Sequence, residues 1–143
     1  MEKPKLVYVT YIKTTPEKLW EALTNPDFIQ QYWYGRRNES DLRVGSKILS
    51  YGPERKPDWS GEILKCEPPR VLSYTFAEGS EAPSRVTFEI GKLGEDGEAV
   101  RLTITHDEFP VGSKVMEKVS NGWPGIMAGL KTLLETGHPL GLN

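Results

Sequence analysis

Across residues 45–107 apolar side chains recur at every second position. That alternation constrains the fold more than any other feature of the chain, because period two belongs to a strand with one face in a core and one in water. Five stretches carry it: residues 47–51, 59–66, 71–76, 84–90 and 99–106. Turn chemistry separates them at Gly52-Pro53, Pro68-Pro69, Glu78-Gly79-Ser80 and Glu95-Asp96-Gly97. Separators this short favour antiparallel neighbours, since parallel pairs need long crossovers. Leu72, Tyr74 and Phe76 share one face. Val86, Phe88 and Ile90 lie opposite Arg85, Thr87 and Glu89, and Val100, Leu102 and Ile104 lie opposite Arg101, Thr103 and Thr105. The sheet therefore has an apolar face that needs a cover.

The cover is the C-terminal segment. Stepped at about 100° per residue, Val115, Val119, Trp123, Ile126, Leu130 and Leu133, with Met116, Met127 and Leu134, fall in one arc of about 120°. The arc passes through Pro124 without losing phase, although a proline inside a helix costs about 3 kcal/mol. Two separate helices have no reason to keep phase, so the segment reads as one bent helix over residues 113–136. Gly137 stops it and Pro139 follows. Pro124 falls on the polar side of the wheel, and Gly122, Gly125 and Gly129 form a shoulder where a backbone or a ligand could come close. The break either curves the helix over a twisted sheet or is a kink the helix tolerates.

Residues 5–13 read as a strand, but both faces are apolar: Leu6, Tyr8 and Ile12 on one, Val7, Val9 and Tyr11 on the other. Thr15-Pro16-Glu17 is a helix start, and Asn25-Pro26-Asp27 is another. Leu19, Trp20 and Leu23 give the first short helix an apolar face; Phe28, Ile29, Tyr32 and Trp33 give the second one, which Gly35 ends.

A chain of 143 residues fits one domain, residues 1–143. Its net charge of −2 argues against a nucleic-acid binder, and its basic doublets Arg36-Arg37 and Arg55-Lys56 sit among acids. The single cysteine, Cys66, excludes an intrachain disulfide. Neither a signal peptide nor the run of ~20 apolar residues that spans a membrane is present, so a cytoplasmic protein is expected.

A strand, two small helices, five or more antiparallel strands and a long final helix make an α+β fold that resembles the helix-grip fold of the START-type (SRPBCC) superfamily. It is a curved antiparallel sheet of about six strands, gripped by a Pro-kinked C-terminal helix. Within that superfamily the chain resembles bacterial proteins similar to the C-terminal domain of the activator of heat-shock-protein-90 ATPase. The resemblance is carried by TPEKLWEALT at residues 15–24, Tyr32-Trp33, LRVGS at 42–46, GEIL at 61–64, EPPRVL at 67–72, LTITH at 102–106, Gly122-Trp123 and LKTLLE at 130–135. It implies an apolar pocket between sheet and long helix, of the kind that holds lipids or polyketides. Some relatives cyclise or hydrolyse their ligands. The eukaryotic activator carries a further N-terminal domain that does much of the chaperone binding, and this chain has no room for it. A chaperone is the partner the resemblance implies besides a hydrophobic ligand.

Chemistry is sparse. There is no G-x-S-x-G, H-E-x-x-H, P-loop or C-x-x-C. His106, His138 and Cys66 do not make a metal site, and no cofactor is expected. His106 shares the phase of Val100, Leu102 and Ile104, so it points inward. It is placed there either to donate to a ligand or act as acid or base, or simply to hydrogen-bond the neighbouring loop. Trp33, Tyr51, Trp59, Tyr74, Phe76 and Trp123 come from elements that converge under the long helix. With Phe88, His106, Met127 and Leu130 they are the candidate ligand-binding residues; singly, each could equally fill the core. The expectation is a non-enzymatic binder of a small hydrophobic molecule. A chaperone-regulating module and a cyclase- or hydrolase-type enzyme are the alternatives.

Overall fold

The computed structural model describes residues 4–96 and 98–141. It has strands β1 (Leu6–Ile12), β2 (Arg37–Ser40), β3 (Lys47–Tyr51), β4 (Pro57–Glu67), β5 (Val71–Phe76), β6 (Ser84–Leu93) and β7 (Ala99–Asp107). Its helices are α1 (Pro16–Thr24), α2 (Pro26–Tyr32) and α3 (Lys114–Thr136). The strands form one antiparallel sheet in the order β1-β7-β6-β5-β4-β3-β2. This is the expected helix-grip arrangement, with one strand more than the alternation reveals. β2 has the sequence RNES and no apolar residue; it exists through its pairing with β3. The turn at residues 94–96 leads toward Gly97, which lies outside the described residues.

Local chemistry sets the helix ends. Thr15 Oγ1 accepts from the Lys18 N–H at 3.2 Å, and Pro16 takes the first position of α1. Asn25 closes α1 through its own N–H and opens α2 by accepting from the Asp27 N–H at 2.9 Å. Tyr34 and Gly35, both at positive φ, turn the chain out of α2. Ser113 caps α3 by accepting from the Met116 N–H at 2.9 Å, and Gly137 ends it in the left-handed region. Glu81, from the loop before β6, adds a second cap: its carboxylate accepts from the Ser113 hydroxyl and from the Lys114 and Val115 N–H groups.

The concave face of the sheet and α3 bury one continuous core. Leu72, Tyr74, Phe76, Val86, Phe88, Val100, Leu102 and Ile104 supply the floor; Trp123, Ile126, Leu130 and Leu133 supply the lid. β1 turns Ile12 into that core and leaves Val7, Val9 and Tyr11 half-exposed, which settles the face that alternation could not. Gly61 of β4 lies so close to β5 that a Cβ would sit 1.7 Å from the Thr75 carbonyl oxygen.

α3 runs unbroken through Pro124, which is exposed as the wheel requires. Proline has no N–H for the carbonyl four residues earlier. That carbonyl, of Ser120, instead accepts from the Tyr8 hydroxyl of β1 at 3.5 Å. Gly129 does what the glycine shoulder implied: a Cβ there would lie 3.2 Å from the Tyr32 Cβ, so α2 and α3 meet at backbone range. Near its C-terminus α3 clasps β1 again. Lys131 Nζ donates to the Tyr11 carbonyl, and Glu135 accepts from the Lys13 N–H at 2.8 Å.

Candidate functional site

Between sheet and α3 the aromatic residues pack ring on ring. Trp59 stacks on Tyr74 at 5.4 Å between centroids and touches Phe76 at 4.5 Å. Trp33, just past α2, reaches Trp59 at 5.8 Å and Trp123 at 5.3 Å. Phe88 meets Tyr74 at 5.9 Å and Trp123 at 6.0 Å. Most of the space under the helix is therefore filled by side chains. What stays open is a cavity of about 80 Å³ at the end facing the first half of α3.

Four of the ten residues singled out by sequence wall this cavity: Trp33, Trp59, Phe76 and Trp123. Val119 and Ile126 complete its apolar surface. Tyr74, Phe88, Met127 and Leu130 are buried in the core beside it and do not border it. Tyr51 lies apart on β3, half-buried, with the Arg55 guanidinium 4.2 Å above its ring.

His106 faces inward and is wholly engaged. Trp123 Nε1–H donates to its Nδ1 at 3.1 Å, which leaves the ring proton on Nε2. Nε2–H donates to Ser84 Oγ at 2.7 Å, and the Ser84 hydroxyl donates to the Phe76 carbonyl at 3.3 Å. Burial holds the His106 pKa down to about 4, against the opposing pull of the Asp107 carboxylate. The Phe109 ring covers it at 4.5 Å. The imidazole is thus a neutral pin between helix and sheet, and it does not border the cavity.

The rim is charged and internally neutralised. Arg36 Nε pairs with Asp58, and Lys118 Nζ donates to Glu78 at 2.9 Å. The Tyr34 hydroxyl donates to the Gly122 carbonyl at 3.0 Å, tying the segment after α2 to the helix. Two further arginines of the doublets are also matched: Arg37 with Asp27 at 2.6 Å and Arg55 with Glu39 at 3.1 Å. Of these rim residues only Gly122, as part of the glycine shoulder, was singled out from sequence as a place where a ligand could come close. The one available signal was that acids surround the doublets.

Among the described residues no group of three or more His, Cys, Asp or Glu could hold a metal ion. No helix there is long and apolar enough to cross a membrane.

Comparison with known proteins agrees with this architecture. No curated protein matches the chain by sequence. Among solved structures, CalU16 from Micromonospora echinospora is similar at 22% identity and a TM-score of 0.74, over 93% of this chain and 77% of that one. An Aha1 dimer from Colwellia psychrerythraea is similar at 20% identity and a TM-score of 0.74, over 94% and 98% of the two chains. An HSP90 activator from Plasmodium falciparum is similar at 22% identity and a TM-score of 0.77, over 94% and 97%. These likenesses establish the fold. The model of the family described as "Activator of Hsp90 ATPase homolog 1-like protein" matches residues 13–135, and on that match the chain belongs to this family.

Proposed function

We propose that the chain binds a small, largely apolar molecule in the cavity between Trp33, Trp59, Phe76 and Trp123. The observation that carries the reading is the space itself: a core otherwise packed ring on ring leaves about 80 Å³ open, with apolar walls and a rim of matched ion pairs. That volume suits a one-ring guest or the end of a longer one. Withdrawing on the order of 150 Å² of apolar guest surface from water contributes about 4 kcal/mol, which corresponds to a Kd on the order of 1 mM from burial alone. His106 is not placed for acid–base work on a guest, since both its nitrogens are bonded within the protein. Titration of one-ring lipophiles, followed by the indole N–H resonances, tests the reading. Saturable shifts confined to the cavity tryptophans support it; no saturable shift with any of them refutes it.

A chaperone-regulating role is the second reading. It is favoured by the HSP90 activator from Plasmodium falciparum, whose solved chain this fold covers over 97% of its length. Stimulation of an Hsp90-type ATPase by the purified chain supports this role; absence of both stimulation and binding ends it.

A further inference from the structure

Three buried side-chain atoms on adjacent strands have no hydrogen-bond partner among the described residues: Asn38 Oδ1 on β2, Ser50 Oγ on β3 and Trp59 Nε1 on β4. The residues are 3%, 2% and 3% exposed. The ladder sets them side by side. Asn38 is the cross-strand partner of Ser50. The β3–β4 pairing that joins Leu49 to Ser60 brings Ser50 next to Trp59, just where the register then slips. Trp59 is also a wall of the cavity, with Ser50 and Asn38 on the strands behind it and not among its walls. A buried polar group with no partner loses its hydration and gains nothing in return, so a row of three calls for an occupant.

We infer that the Asn38–Ser50–Trp59 row is a subsite for a neutral hydroxyl carried by the cavity's guest; this rests on the cavity having a guest. The demands of the three groups select the chemistry. An indole N–H can only donate, a side-chain amide oxygen can only accept, and a serine hydroxyl does either. A hydroxyl answers all three, because it accepts from Trp59 and from Ser50 while donating to Asn38. A carboxylate brings no proton for Asn38 and would leave its charge desolvated among rings. An ammonium cannot accept from Trp59. A ketone or an ether meets only the donors. The guest class is therefore a phenol or benzyl-alcohol type of molecule, with its ring among the tryptophans and its hydroxyl toward the strands.

The sheet is irregular at this point. The β3–β4 register shifts between Leu49 and Tyr51, so the ladder is interrupted beside Ser50. The turn that follows holds Glu54 and Arg55 at φ 62° and 59°, left-handed values that cost energy for residues with a side chain. The proposal requires only a small local opening there, by which the guest's hydroxyl passes Trp59 toward Ser50 and Asn38.

Phenol and toluene differ only in the group at issue. Each is titrated into the full ¹⁵N-labelled chain and read at the indole N–H peaks of its four tryptophans. Trp59→Phe assigns the Trp59 peak. Phenol is expected to bind about tenfold tighter than toluene, the worth of about one satisfied buried hydrogen bond, and to move the Trp59 N–H downfield. Ser50→Ala is expected to weaken phenol binding more than toluene binding and so to erase most of that preference. Equal affinities with an unmoved Trp59 N–H overturn the hydroxyl subsite and leave the cavity reading standing. A preference that survives intact in Ser50→Ala also overturns the subsite. No binding of either molecule removes cavity and subsite together.

Discussion

His106 makes stability depend on pH in a window of its own. Its pKa is about 4 in the folded chain, against an ordinary value of 6.5. Below 6.5 the unfolded chain takes up a proton that the folded chain refuses until about pH 4, so acidification favours unfolding through this interval. The stability attached to the neutral ring is thus fully present above the unfolded pKa and is lost as pH falls. A gap of this size is worth about 3 kcal/mol in all, of which about 2 kcal/mol is gone by pH 5. The carboxylates held low by hydrogen bonds, such as Glu39 and Glu135, act below their ordinary 4.5, so pH 5 to 7 isolates the histidine. Urea melts at pH 8, 6.5 and 5 measure the slope. His106→Gln keeps an acceptor for Trp123 and a donor for Ser84, so it is expected to flatten the slope. A wild-type stability that does not change between pH 7 and 5 refutes the reasoning. So does a His106 ring signal that titrates near 6.5 in the folded protein.

The remaining predictions concern packing and capping. Gly61→Ala drives a Cβ to 1.7 Å from the Thr75 carbonyl oxygen, a backbone atom that cannot swing aside. The β4–β5 ladder must break locally, and urea melts should show a loss of about 3 kcal/mol or more, or no folded protein. Gly129→Ala is milder, because 3.2 Å from the Tyr32 Cβ asks α3 to lift by a few tenths of an ångström. Helix propensity returns about 1 kcal/mol of the strain, so the net loss in a urea melt should be about 1 kcal/mol. Glu81→Gln weakens the acceptor for the Lys114 and Val115 N–H groups. Amide exchange should then accelerate at the first turn of α3 and stay unchanged beyond Pro124.

The strands from β3 to β7 and both ends of α3 were legible because local chemistry and tertiary role coincide there. Alternation gives the face, Gly and Pro give the turns, and Ser113 and Gly137 are where a helix begins and ends. β1 was legible as a strand but its buried face was not, since Val7, Val9 and Tyr11 are as apolar as the residues that face in. β2 was invisible because an edge strand made of RNES has only its backbone to declare it. In the site, Trp33, Trp59, Phe76 and Trp123 were legible as large rings on converging elements. The position of Tyr51 was not legible: β3 lies toward the far edge, and the Arg55 guanidinium sits over its ring. The rim pairs were not legible, because partners 22 and 40 positions apart leave no local pattern. Nor was the role of His106, whose partners Ser84 and Trp123 come from another strand and from the helix.

The three clasps between β1 and α3 have a consequence for assembly. Tyr8, Tyr11 and Lys13 meet Ser120, Lys131 and Glu135 across more than a hundred positions of chain. Lys131 and Glu135 occupy backbone groups that an outermost strand would otherwise offer to any passing segment. Until the last helix has been synthesised, that margin stands open and the greasy floor has no roof. A nascent chain is thus most prone to stick to its neighbours before α3 emerges, and the 23 residues of that helix both cover the floor and sheathe its edge.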